Sequence, residues 1–169
     1  MTRRFILTGA PGAGKTTIAL ALRERGYTVV DEAATDVIAE TPEIEQDGAA
    51  FLARILHVQR QRHAGATGAL QIFDRSPVCT LALAEYLGAR PSRELTSAAE
   101  QEGGYERTVF FVRLMDFIVP TAARRIGLED SRRFERIHED VYRRLGYTLV
   151  DIPPAPLPER IKAVIAGIG

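Results

Sequence analysis

A chain of 169 residues has room for one core, so a single domain over residues 1–169 is expected, and 22 Lys+Arg against 22 Asp+Glu leaves no basic surplus for nucleic acid. Its 46% hydrophobic content never gathers into an apolar run of the ~20 residues that cross a bilayer. Met1-Thr2-Arg3-Arg4 leads straight into an apolar strand, so a cytoplasmic location is expected, and the lone Cys79 excludes an internal disulfide and a cysteine zinc site.

The first apolar run predicts a strand over Arg3–Thr8. Directly after it, Gly9-Ala10-Pro11-Gly12-Ala13-Gly14-Lys15-Thr16 spells GxxxxGK[ST], followed by a helical pattern over Lys15–Arg25. Glycines at positions 9, 12 and 14 let successive backbone N–H groups turn toward one anion without Cβ clashes. The positive end of the new helix points at the same place, and Lys15 adds an ammonium. This is a phosphate-binding loop, expected to hold ATP, with GTP as the alternative. Its binding set is Gly9, Ala10, Pro11, Gly12, Ala13, Gly14, Lys15, Thr16 and Thr17. The Thr16 hydroxyl is the expected first ligand of Mg²⁺.

Strands at Tyr27–Val30, Ala69–Phe73, Thr108–Val112 and Tyr147–Asp151 then alternate with helices at Ala33–Glu40, Asp47–Ala64, Val78–Gly88, Ser92–Glu102, Glu129–Leu145 and Pro158–Ala166. Such alternation predicts a three-layer α/β/α fold with a parallel sheet. Gly26, Gly88 and Gly146 fall where left-handed helix caps are wanted. In the sixth of the seven helices, Phe134, Ile137, Val141 and Leu145 form one apolar stripe, so its arginines are expected to face outward.

Ligands of open parallel sheets sit beyond the carboxyl ends of the strands, which singles out the residues just past each one. Asp31 and Glu32 follow the second strand. Either can orient an acceptor hydroxyl and take its proton, with Glu32 the preferred base, or cap the next helix. Asp74 closes the third strand as a Mg²⁺ carboxylate would, or caps the following helix, a role Ser76 can also fill. Arg75 can fork onto phosphate oxygens or form a plain ion pair. Arg113 and Asp116 follow the fourth strand, and Leu114–Leu128 carries Arg124 and Arg125, expected over the phosphates as a lid: Arg125 as a catalytic group, Arg124 on the nucleotide. Pro153, after the fifth strand, is placed against the nucleotide base. Gln59 and Arg60 are weaker candidates for an acceptor pocket. His57, His63 and His138 lack metal-ligand spacing and are expected in surface or capping roles, and Cys79 as a small buried hydrophobe.

With Gly9–Thr16, Val29-Val30-Asp31-Glu32-Ala33-Ala34, Phe73-Asp74-Arg75 and Leu145-Gly146-Tyr147 ahead of an Ile-Pro pair, the chain resembles the NadR-like AAA ATPase/kinase domain family over nearly its full length. The resemblance implies a five-stranded sheet of order 2-3-1-4-5, ATP or GTP with Mg²⁺ as ligand and, in one branch, phosphorylation of nicotinamide riboside. Carried over by residue, it implies phosphate and magnesium roles for Lys15 and Thr16, the acid after strand two for Glu32, and the Asp-Arg pair for Asp74 and Arg75. That pair also looks like the one in thymidylate and deoxynucleoside kinases. The lid departs from the family: Thr121-Ala122-Ala123-Arg124-Arg125 stands where an Asp-Gly-x-Arg-like segment is usual.

Two functions of different class fit these residues. The first is a small-molecule kinase with catalytic Lys15, Glu32, Asp74, Arg75 and Arg125. The second is a nucleotide-dependent switch or ATPase acting through a protein partner, for which an Asn-Lys-x-Asp guanine motif and room for an AAA+ helical lid domain are missing. A 5′-end nucleic-acid kinase is disfavoured by the charge balance.

Overall fold

The computed structural model describes residues 1–101, 103–115 and 127–169. Five strands, β1 (Arg3–Thr8), β2 (Thr28–Val30), β3 (Leu70–Asp74), β4 (Thr108–Val112) and β5 (Thr148–Ile152), pair in parallel in the order β2-β3-β1-β4-β5. The expected strand order and the α/β layering are therefore correct. β1 lies at the centre, and its run Phe5-Ile6-Leu7 is fully buried, as a strand covered on both faces must be.

Among the described residues seven α-helices accompany the strands: α1 (Lys15–Glu24), α2 (Ala34–Glu40), α3 (Gly48–Gly65), α4 (Pro77–Leu87), α5 (Arg93–Gln101), α6 (Leu128–Arg144) and α7 (Leu157–Ile168). On one face Phe5, Leu7, Ile18, Leu22, Phe110, Ile161 and Val164 form a cluster that joins α1 and α7 to the sheet. On the other, Ile6, Val78, Ala82, Val109, Val141 and Tyr142 join α4 and α6 to it. A short 3-10 helix, Pro42–Gln46, was not anticipated.

α6 presents its stripe inward as expected: Phe134 and Val141 are buried, Ile137 and Leu145 pack against the second cluster, and Arg132, Arg133, Arg136, Arg143 and Arg144 are exposed. The expected outward placement does not extend to His138, which is fully buried on that helix. The surface or capping role read for it is therefore corrected. His63 is half-buried, with a ring nitrogen on the Gly103 carbonyl at 2.9 Å.

Candidate functional site

The loop after β1 has the backbone its glycines predict. Gly9, Gly12 and Gly14 have φ of 138°, 87° and 90°, values that L side chains rarely adopt. At Gly9 space is also lacking, because a Cβ would stand 2.3 Å from the Val112 carbonyl oxygen at the end of β4. Gly14 is the N-cap of α1, so the free N–H groups of the first turn open onto the hollow of the loop. Thr16 and Thr17 are exposed there, while Lys15 is buried and donates Nζ to the Ala10 carbonyl at 2.8 Å. Burial, seconded by the Arg75 charge, lowers the Lys15 pKa to about 7.

Pairing of Leu7 with Asp74 and a 3.0 Å bond from Arg75 N to the Leu7 carbonyl place the end of β3 beside this loop. Asp74 is buried and its Oδ1 has no hydrogen-bond partner. Burial raises its pKa against the opposing pull of Lys15 and Arg75. An orphaned carboxylate oxygen beside a phosphate loop suits a hydrated Mg²⁺, which needs few protein oxygens, so the chain's residues fit that ion.

Arg75, the one non-glycine residue of positive φ among the described residues, takes 75°. Its guanidinium is held from two sides. Nε lies 3.5 Å from Glu32 Oε2, and Nη1 lies 3.3 Å from His138 Nε2. His138 Nδ1 is 3.1 Å from the Phe134 carbonyl and must donate to it, so Nε2 keeps its lone pair for Arg75. Burial, with Arg75 second, holds the His138 pKa well below its usual value, which keeps this neutral form.

Glu32 takes the capping role weighed for it and also faces Arg75. Its Oε1 caps α2 by accepting from Thr35 N at 3.1 Å, while Oε2 faces Arg75. Asp31 points elsewhere, to an exposed 2.7 Å ion pair with Arg23. Thus Lys15, Glu32, Asp74 and Arg75 stand close enough to act on one another's charge, and Asp74 and Arg75 line a small crevice with Asp31. Gln59 also lines the crevice, accepting from Thr80 Oγ1, whereas Arg60 turns away to Glu94.

Ser76 is the N-cap residue of α4 but makes no side-chain cap; its Oγ meets Tyr142 OH at 3.0 Å. Cys79 is buried as expected but is more than a hydrophobe, since its Sγ lies 3.0 Å from both Tyr142 OH and Thr8 Oγ1. Arg113 is taken up by Glu135, Glu139 and Asp151 and is no free phosphate ligand. Pro153 is exposed just after β5. The lid arginines Arg124 and Arg125, and Asp116, lie outside the described residues.

Two polar residues on apolar helix faces were missed. One is His138. The other is Arg160 of α7, which is buried and reaches back to the phosphate loop with Nη2 donating to the Ala13 carbonyl at 2.7 Å. The same signal marks both. His138 is four residues after Phe134 and three before Val141; Arg160 is three after Leu157 and four before Val164. Each therefore falls inside its stripe.

A family model described as an AAA domain matches residues 4–160. Among solved structures, thymidylate kinase from Ehrlichia chaffeensis superposes with a TM-score of 0.72 at 14% identity, covering 99% of this chain and 98% of that one. Deoxyadenosine kinase from M. mycoides, solved with dATP, gives 0.65 at 18% identity over 98% of each chain. Shikimate kinase from Acinetobacter baumannii gives 0.62 at 16%, covering 99% of this chain and 93% of that one. These likenesses show a shared fold. A dephospho-CoA kinase of Deinococcus radiodurans is 54% identical over 43 residues, 25% of this chain and 21% of that protein. The chain thus spans about a fifth of that relative's length.

Proposed function

The chain belongs to the AAA domain family, and from that premise we propose that it is a phosphotransferase moving the γ-phosphoryl group of ATP to a hydroxyl of a small acceptor. A nucleoside-like acceptor, of the kind the NadR-like resemblance implies, is the preferred class. The observation that carries the reading is the group of Lys15, Glu32, Asp74 and Arg75 beside the glycine loop, near enough for each charge to act on the others. The kinase names of the structural neighbours support it.

In this mechanism the amides of Gly12 and residues 14–17, with Lys15, hold the triphosphate, and Thr16 and Asp74 would hold Mg²⁺. The ion supplies charge neutralisation on the phosphate oxygens. Arg75, braced by Glu32 and His138, presents its remaining N–H groups to the transferred phosphoryl group. Glu32 Oε2 takes the acceptor's hydroxyl proton as the acceptor oxygen bonds to the γ-phosphorus. The bond to the β–γ bridging oxygen breaks and ADP leaves. Arg124 and Arg125 are assigned to closure over the phosphates, and Pro153 to the face of the base.

The test is a panel of hydroxylated acceptors incubated with γ-labelled ATP and Mg²⁺, wild type beside Glu32→Gln. A labelled product is expected with wild type, and the variant should lower its rate about 10²-fold while leaving ATP affinity in place. Equal turnover in the variant removes Glu32 from the mechanism. Absence of product from every acceptor, with slow hydrolysis and a protein captured only in the nucleotide-bound state, replaces the kinase with the switch.

A further inference from the structure

We propose that Arg160 is the positioning residue of the phosphate cradle, holding the Ala13–Gly14 peptide in the orientation that grips a polyphosphate and lending it a buried positive charge. The inference rests on the nucleotide-binding part of the reading above.

Arg160 stands on the first turn of α7, far from the glycine loop in sequence, yet its guanidinium lies directly against that loop. Nη2 donates to the Ala13 carbonyl at 2.7 Å, and Nη1 lies 2.8 Å from where a Cβ on Gly14 would stand. Only glycine at position 14 admits the guanidinium so close. The Ala13–Gly14 peptide is planar and trans, so the Ala13 carbonyl and the Gly14 N–H point in opposite directions. Tying the carbonyl down on the α7 side therefore turns the Gly14 N–H to the opposite side, toward the hollow of the loop. The backbone donor is aimed from behind.

The electrostatics give a second, independent argument. Arg160 is only 3% exposed, its Nε has no hydrogen-bond partner, and no carboxylate lies within ion-pair distance among the described residues. Burial lowers its pKa, as expected for a cation whose one hydrogen-bond partner among the described residues is a carbonyl. Buried charges in folded proteins are ordinarily paired. Here Lys15 and the positive end of α1 stand on the same loop, so like charge accumulates around one hollow. A polyphosphate of several negative charges would supply the counter-ion that Arg160 lacks among the described residues.

Calorimetric titration with ATP and with inorganic tripolyphosphate, both without metal, separates the possibilities for wild type, Arg160→Met and Arg160→Lys. Arg160→Met should weaken both ligands by about tenfold or more, in equal measure, because it removes a charge-assisted bond. Urea unfolding of the nucleotide-free protein should show no loss of stability, since an unpaired charge has gone. Arg160→Lys, which keeps the charge and one donor, should recover part of the affinity for both ligands. Unchanged affinities in Arg160→Met overturn the proposal while leaving nucleotide binding intact. So does a loss confined to ATP, which would assign Arg160 to the base or ribose. Should Arg160→Met fail to fold, Arg160→Gln is read in its place, with the same outcomes. A wild-type protein that binds neither ligand sinks the nucleotide reading itself and this inference with it.

Discussion

Lys15 is the residue whose protonation should report most directly on the site. In the free protein burial depresses its pKa to about 7, with the Arg75 charge acting in the same direction. A triphosphate against Nζ would stabilise the ammonium and return the pKa toward the ordinary 10.5. At pH 8 the free side chain is mostly neutral and the bound one charged, so binding should take up about one proton. Titrating ATP with EDTA present, in two buffers of different ionisation heat, measures that uptake. It should disappear in Lys15→Ala, and zero uptake in wild type would mean that Lys15 never meets phosphate. The sign for folding follows from the same shift. Between pH 7 and 10.5 the unfolded chain holds the proton that the folded one has lost, so this group's contribution to stability rises with pH across that window. Asp74 works in the opposite sense for metal. Its raised pKa makes Mg²⁺ compete with a proton, so metal affinity should fall as the solution is acidified.

At the scale of elements, α4 and α6 are joined to the end of β1 by a buried polar chain. Thr8 Oγ1, Cys79 Sγ, Tyr142 OH and Ser76 Oγ follow one another at 3.0 Å intervals. Tyr142→Phe keeps the ring and removes the central hydroxyl, leaving Ser76 and Cys79 without that partner. Urea unfolding should show a loss of about 1–3 kcal/mol with an unchanged denaturant slope, and no loss would mean that the chain is energetically idle. The sequence made the strands and helices themselves legible because their apolar periods are clean, but several boundaries were read one residue off, for an identifiable reason. After α1, Gly26 N bonds to the Arg23 carbonyl and Tyr27 N to the Leu22 carbonyl; after α6, Gly146 and Tyr147 do the same with Arg143 and Tyr142. These are Schellman caps, so each tyrosine completes a helix end where its aromatic character suggested the first residue of a strand. Pro42–Gln46 was missed because an acidic stretch five residues long carries no apolar period. The backbone of the glycine loop and the place of Asp74 beside it were legible since both follow from signals local in sequence. His138 and Arg160 were not, because their meaning depends on partners 63 and 147 residues away.

For the whole molecule, the site depends on how closely α7 lies on the sheet. Arg160 reaches Ala13 only because the helix that carries it packs against α1, β1 and β4 through Ile161, Val164 and Ile168. Gly167 sets that distance at the far end of the helix, where a Cβ would stand 2.4 Å from Cε1 of the fully buried Phe110 ring. Phe110 in turn lies in a tilted pair with Phe5, ring centroids 5.7 Å apart, so it has little room to yield. Gly167→Ala should therefore push α7 outward. The overpacking should cost about 1–3 kcal/mol in urea unfolding. If the packing of α7 governs the cradle, tripolyphosphate affinity should fall in the same variant, although residue 167 lies at the other end of the helix from Arg160. A control at the exposed Lys162, changed to Ala, touches neither contact and should leave both measurements within error. Loss of stability in Gly167→Ala with full retention of phosphate affinity would show that the loop keeps its shape independently of the helix behind it.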